Sequence, residues 1–229
     1  MNYDLDAIVA PYITSYIREK TTHNNPMLLG LEEYARENKV PIAEPETARL
    51  LSVITKLIKP KRILEVGCAI GYSSAIMSQG LAPNGEIITI EYDAKTAEIA
   101  RNNIKKAGLS DKITVVEGDA KDYLSYIDED ESFDIVFLDG PKAHYLFMLD
   151  DAVRLLKKGG LLISDNILFK GMTADDDHFA RRKVTIINRL REYIDALMAH
   201  PQLETSILSQ GDGVTLSVKT MSDEERFIR

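Results

Sequence analysis

Two apolar runs end in residues able to do chemistry. Phe133-Asp134-Ile135-Val136-Phe137-Leu138 runs into Asp139-Gly140-Pro141-Lys142, and Leu161-Leu162-Ile163-Ser164 runs into Asp165-Asn166. Runs of this length bounded by turn residues read as buried strands, so Asp139, Asp165 and Asn166 fall just beyond strand ends. Two carboxylates and an amide carbonyl are hard oxygen donors, suited to Mg²⁺ or Ca²⁺ and poor for zinc. Magnesium takes about six oxygens, so three from the protein leave about three for substrate and water. Asp and Asn also favour turns, and a plain turn after the strand is the alternative for Asp165-Asn166. The four histidines, His23, His144, His178 and His200, show no paired ligand spacing and are expected as surface or core residues. The single cysteine, Cys68, excludes an intramolecular disulfide framework and a cysteine-based zinc site.

A second group follows three other strand ends. The first is Glu65-Val66-Gly67-Cys68-Ala69-Ile70-Gly71-Tyr72-Ser73. Its glycines let the backbone turn tightly and approach a ligand, while the following helix offers free N–H groups there. The spacing is Gly-x-x-x-Gly, which is neither the Gly-x-Gly-x-x-Gly of pyrophosphate binders nor a P-loop. A plain strand–helix turn is the alternative. Glu91 ends the next strand, in the place where a carboxylate accepts from both ribose hydroxyls. Glu117-Gly118-Asp119-Ala120 ends the third, where an acid can accept from an adenine amino group. Asp119 is equally suited to cap a helix, and the two roles can coexist.

The elements that must carry these residues are legible in the pattern. Helical periodicity predicts helices over 5–19, 27–38 and 45–58, with a proline-punctuated loop at Val40-Pro41-Ile42-Ala43-Glu44-Pro45. Then β-prone and helical runs alternate. Strands are predicted at 62–66, 86–91, 113–117, 133–138 and 160–164, with helices at 72–79, 94–107, 119–126 and 143–156. This alternation predicts an α/β fold, a doubly wound and mostly parallel sheet. A helix over 179–200 precedes strands at 204–208 and 214–219. These two are joined through Gln210-Gly211-Asp212-Gly213 and read as an antiparallel hairpin closing one side of a seven-stranded sheet. No linker or repeat divides the 229 residues. One domain is expected over 1–229: an N-terminal helical cap at 1–60, a core at 61–220 and a tail at 221–229.

Composition narrows the class. With 28 Lys+Arg against 36 Asp+Glu the formal charge is −8, and 45% of residues are hydrophobic. That excludes a collagenous or disordered chain, and no apolar run approaches a membrane span. The acidic first residues, without a basic stretch, lead us to expect no secretory signal and a cytoplasmic protein with no membrane partner. The charge also argues against a protein that coats nucleic acid through bulk attraction.

From Arg62 to Lys219 the chain resembles the class I S-adenosylmethionine (SAM)-dependent methyltransferases, which implies a Rossmann-like core. The resemblance implies that Gly67 to Gly71 and Ser73 pass beside the methionine part of SAM. It further implies that Glu91 binds the ribose and that Asp119 and Ala120 meet the adenine, with Ile42, Glu65, Gly118 and Asp139 completing the cofactor site. Position by position, Asp139, Lys142, Asp165 and Asn166 match the cation-dependent O-methyltransferases of the catechol and caffeoyl-CoA type. This implies Mg²⁺ or another divalent cation on Asp139, Asp165 and Asn166, gripping two vicinal substrate oxygens. It also implies catalytic roles for Asp139 and Lys142, with Lys142 as the base; a solvated surface lysine is the alternative reading.

Two stretches are similar to the bacterial tRNA 5-hydroxyuridine methyltransferases. They are Ser164-Asp165-Asn166-Ile167-Leu168-Phe169-Lys170-Gly171, with Asp175-Asp176-Asp177 and Arg181-Arg182-Lys183 after it, and Leu197-Met198-Ala199-His200-Pro201 with Gln210-Gly211-Asp212-Gly213 after it. Val40-Pro41-Ile42 matches too, whereas Ala43-Glu44-Pro45 and the tail 221–229 depart. The partner implied is tRNA carrying wobble 5-hydroxyuridine, whose 5-hydroxyl and 4-carbonyl oxygens form a vicinal pair; a small catechol-like substrate is the alternative. RNA contact would fall to Arg181, Arg182, Lys183, Arg189, Arg191 and Lys170, or to Lys56, Lys59, Lys61 and Arg62, although no aromatic-rich platform shows in the sequence. The family resemblance also implies a homodimer. A non-catalytic adenine-nucleoside binding protein, with the acids serving as turn residues, is the reading from another class.

Overall fold

The structure is a computed structural model that describes residues 8–175 and 181–226. Seven strands form one sheet: β1 (Arg62–Val66), β2 (Glu86–Glu91), β3 (Ile113–Glu117), β4 (Phe133–Leu138), β5 (Leu156–Asp165), β6 (Leu203–Leu208) and β7 (Val214–Lys219). Their order is β3-β2-β1-β4-β5-β7-β6. The first five run parallel, and β7 pairs antiparallel with both β5 and β6. The expected doubly wound sheet and closing hairpin are therefore both present. The order reverses between β1 and β4, and in such sheets the crevice beyond the strands' carboxyl ends is where ligands bind.

The central strands are apolar on both faces because helices cover both. Alternate residues go to opposite sides. Ile63, Ile135, Phe137 and Ile163 join a core with α2 (Pro26–Asn38), α3 (Pro45–Ile58) and α4 (Tyr72–Met77). Leu64, Val136, Leu138 and Leu162 join the other, with α7 (Tyr145–Leu155) and α8 (Val184–Ala199). The remaining helices are α1 (Pro11–Lys20), α5 (Ala94–Lys106), α6 (Ala120–Tyr126) and α9 (Asp223–Arg226). No helix among the described residues is long and apolar enough to cross a membrane.

Differences from the sequence reading have local causes. The first helix starts at Pro11, where a residue lacking an N–H and with φ already fixed opens a helix readily. The predicted start at residue 5 lies outside the described residues. Pro141 precedes a 3₁₀ turn at Lys142–His144, so α7 begins only at Tyr145. A 3₁₀ turn also shortens α4, at Ser78–Gly80. The long helix begins at Val184 after a 3₁₀ turn at Arg181–Lys183. Its predicted start at 179, the acids Asp176 and Asp177, and tail residues 227–229 are outside the described residues. Strand β5 reaches back to Leu156 because Leu156 pairs with Phe133 across a register shift. Lys157-Lys158-Gly159-Gly160 hides that extension from an apolar-run reading.

Candidate active site

The carboxyl ends of β1 to β5 open into a cavity of about 840 Å³. Ten expected site residues line it: Ile42, Gly67, Glu91, Gly118, Asp119, Ala120, Asp139, Lys142, Asp165 and Asn166. Residues as far apart in the chain as Gly67 and Asn166 thus meet because parallel strands deliver their ends to one edge. Glu65, Gly71 and Ser73 are not among the lining residues. A Cβ on Gly71 would meet Ile104 of α5, so that glycine fits the loop against a helix. Ser73 and Glu65 are buried behind the loop.

Gly67 is where close approach demands glycine. Its φ is 96°, and a Cβ there would collide with the Asp139 carbonyl group. The Gly67 and Cys68 N–H groups donate to the Ile90 carbonyl, and the Asp139 N–H donates to the Val66 carbonyl. Glu91 braces the same loop: its Oε2 accepts from the Ala69 N–H at 2.9 Å and its Oε1 from the Asp93 N–H at 3.0 Å. Each carboxylate oxygen has a further lone pair, so Glu91 keeps acceptor capacity toward the cavity. Asp119 does cap a helix, accepting from the Lys121 N–H at 2.9 Å. Its place in the cavity wall shows that capping and lining coexist.

Beneath the loop, Glu65 is fully buried on β1 and accepts from the hydroxyls of Ser73 and Ser74 at the start of α4. Loss of water pushes its carboxyl up to about 7, a rise that the two hydroxyls oppose.

The acidic floor is built on β4 and β5. The Lys142 ammonium is 2.9 Å from Asp139 Oδ1. Asp165 is 2% exposed, and its Oδ1 accepts from the Asn166 N–H at 2.7 Å. The buried Tyr145 hydroxyl sits between the strand ends, 2.9 Å from the Leu138 carbonyl and 3.2 Å from the Asp165 carbonyl. Desolvation, reinforced by the Asp139 charge, pushes the Asp165 carboxyl up to about 7. Desolvation also raises that of Asp139, against the pull of Lys142. Two desolvated carboxylates share one ammonium, and the surplus negative charge suits a divalent cation. Among the described residues no three His, Cys, Asp or Glu side chains gather closely enough to hold a metal. Asp139 and Asp165 together with the Asn166 amide would offer a cation hard oxygen donors only.

A family profile for O-methyltransferases matches residues 18–220. The chain belongs to that family. Among its relatives is a caffeoyl-CoA O-methyltransferase of Populus kitakamiensis, 33% identical over 87% of this chain and 83% of its own. A catechol O-methyltransferase of Niastella koreensis is 29% identical over 90% and 96%. Solved O-methyltransferase structures share the fold. That from Bacillus cereus in complex with SAH is 26% identical, with a TM-score of 0.80 over 91% of this chain and 97% of its own. TomG from Streptomyces achromogenes in complex with SAM is 25% identical, with a TM-score of 0.81 over 96% and 100%. The chain is accordingly an enzyme, an O-methyltransferase, and the non-catalytic reading does not stand.

Sequence reasoning missed part of the wall. Lys39, Val40, Pro41, Ala43 and Glu44 enter it from the loop before α3, and Tyr92, His144 and Met148 line it as well. His144 has no paired ligand spacing, and its position two residues past Lys142 is the sequence signal for its place in the wall. A second cavity of about 950 Å³ adjoins the first and shares Glu44 and Asn166 with it. Its walls include Arg18, Arg49, Lys170 and Asp212. Arg18 bridges from α1 to Glu44 at 2.6 Å and to Glu46 at 2.9 Å.

Proposed function

We propose that this O-methyltransferase moves the methyl group of SAM to one oxygen of a vicinal oxygen pair, with a divalent cation held by Asp139, Asp165 and Asn166. The observation that carries the reading is the pair of desolvated carboxylates, under-neutralised by Lys142, in the same cavity as Glu91 and Asp119. The glycine loop supplies room for the donor, Glu91 accepts from its ribose and Asp119 from its adenine. When bound, the cation acidifies a substrate hydroxyl and fixes its orientation. Lys142 Nζ, in its neutral form, takes the hydroxyl proton. The substrate oxygen then bonds to the methyl carbon as the carbon–sulfur bond breaks, its electron pair remaining on sulfur. Relatives named for catechol and caffeoyl-CoA support a catechol-type acceptor.

A second acceptor, 5-hydroxyuridine in tRNA, offers the same oxygen pair. It is favoured by two aromatic–cation pairs, one between α7 and α8 and one between the loop after Asn166 and the turn at 181–183. Arg189 lies 4.6 Å over the half-exposed ring of Phe147, and Lys183 lies 5.5 Å over Phe169. Such pairs suit stacking on a single-stranded base. The other basic candidate is placed differently. Arg62 opens β1 at the end of the sheet away from the cavity, paired with Glu86 and Glu129. Methyl transfer to a caffeoyl thioester and to hydroxylated tRNA, measured side by side, separates the acceptors by kcat/KM. A preference for the thioester of tenfold or more rejects the tRNA reading, and the reverse result rejects the catechol one. We also propose self-association through the exposed apolar residues Tyr12, Ile13, Tyr16 and Ile17 of α1 and Val53 and Leu57 of α3. Sedimentation of a dimer that Tyr16→Asp renders monomeric supports it.

A further inference from the structure

We infer that Asp212 is a positioning residue: from the β6–β7 turn it holds the Asn166–Lys170 loop in the shape that aims Asn166 into the site. The inference rests on the cation reading above. The loop needs an external hold. Asn166, Phe169 and Lys170 have φ of 59°, 46° and 58°, a left-handed conformation that side chains disfavour, and Gly171 follows at 77°. Asn takes this conformation readily, but Phe169 and Lys170 do not take it by local preference, so the surroundings must hold them there.

The turn at 210–213 supplies the restraint. The Ile167 N–H donates to the Gly213 carbonyl and the Leu168 N–H to the Asp212 carbonyl, each at 3.0 Å. The Asp212 side chain makes the third contact, its Oδ1 accepting from the Lys170 N–H. That bond reaches the left-handed residue itself, beyond the point where the backbone contacts stop. The turn is itself fixed. A Cβ on Gly213 would collide with Leu168, and one on Gly211 would lie 2.7 Å from Thr47 Oγ1. Gln210 Nε2 donates to the Glu46 carbonyl, which ties the turn to the start of α3. Asp165 pairs with Val214 in the register of β5 and β7, so this one hairpin sets the strand end and the loop after it. Asp212 also lines the second cavity, which shares Asn166 with the first.

Outer partners of a ligand residue typically change metal affinity about 10- to 100-fold. The test is calorimetric titration of Mn²⁺ into the full-length protein and its Asp212→Ala, Asp212→Ser and Asp212→Asn variants, with SAM affinity and melting temperature measured on the same samples. Asp212→Ala is expected to weaken Mn²⁺ binding about tenfold or more and leave SAM affinity within about twofold. Asp212→Asn, which keeps an acceptor oxygen for the Lys170 N–H, is expected to restore most of the loss. Should the alanine variant not fold, Asp212→Ser, with a shorter acceptor, carries the same expectation. Equal losses in the alanine and asparagine variants overturn the inference, because charge rather than the hydrogen bond would then matter. Wild-type affinity in all variants overturns it too. A wild-type protein that takes up no Mn²⁺ overturns the cation reading and this inference with it.

Discussion

A buried acid explains how the β1–α4 loop is held and what that does to stability. Glu65 has no exposed surface, and its carboxyl lies near 7 instead of the ordinary 4.5. The folded protein therefore keeps this proton where the unfolded chain has released it. Stability is highest below about 4.5 and declines as pH rises toward 7, above which the penalty is complete. The bound is ~3 kcal/mol, from about 1.4 kcal/mol for each unit of difference. Urea unfolding of wild type and Glu65→Gln across pH 4 to 8 checks this. The expected result is a wild type that loses ground relative to the variant between about pH 4.5 and 7; parallel curves would count against a raised carboxyl. Asp139 and Asp165 share the same logic of desolvation, but they face a cavity that a ligand can enter. Glu65 is instead held inside by the hydroxyls of Ser73 and Ser74.

Among the elements, the strands of the parallel sheet were the most legible. Strands β1 to β4 and β7 lie where alternation and apolar runs put them, since burial on both faces leaves a continuous hydrophobic signal. Helix starts were less legible because a proline or a 3₁₀ turn sets them, as at Pro11 and Lys142. The site followed the same division. Residues at strand ends, Glu91, Asp119, Asp139 and Asp165, could be placed from sequence because topology alone brings strand ends together. Glu44, Tyr92 and Asp212 could not, because they reach the cavities through loops whose paths no periodicity records. The β1–α4 loop gives a sharp test at this scale. Gly67→Ala meets both a φ of 96° and the Asp139 carbonyl group. A destabilisation of about 1–3 kcal/mol is expected from the backbone conformation alone, with loss of SAM binding. Thermal unfolding and SAM titration of the variant measure the two; an alanine variant that binds SAM like wild type would show that the loop is not held as described.

Across the whole molecule, charge is distributed by task. The formal charge of −8 excludes bulk attraction to nucleic acid, yet Lys170, Arg182, Lys183 and Arg189 form no ion pair with any described residue. Lys219 is the opposite case, a lysine with no exposed surface. Its ammonium donates to the Val153 carbonyl and to Asp223 at 3.0 Å, and lies 3.1 Å from Glu131. It ties β7 to α7 and to α9, a helix in the tail that the sequence reading left without structure. Removing it takes away the ammonium that lies between two half-buried acids, Glu131 and Asp223, although Gln202 Nε2 still donates to Asp223 at 2.8 Å. Lys219→Met is expected to lose about 1–3 kcal/mol in denaturant unfolding, with methyl transfer intact at low temperature. A variant as stable as wild type would show that Lys219 contributes no hold between the tail and the sheet.

In the proposed reaction, methyl transfer depends on a cation held by two desolvated carboxylates and an amide. The most direct measurement is the rate of methyl transfer from SAM to a vicinal diol, by protein freed of metal with a chelator and then titrated with Mg²⁺, for wild type and Asp165→Ala. The expected result is no turnover in chelator, saturable recovery for wild type, and for the variant a rate lower by about 10²-fold or more at every Mg²⁺ concentration. Full turnover by wild type in chelator, or by Asp165→Ala in Mg²⁺, would contradict it.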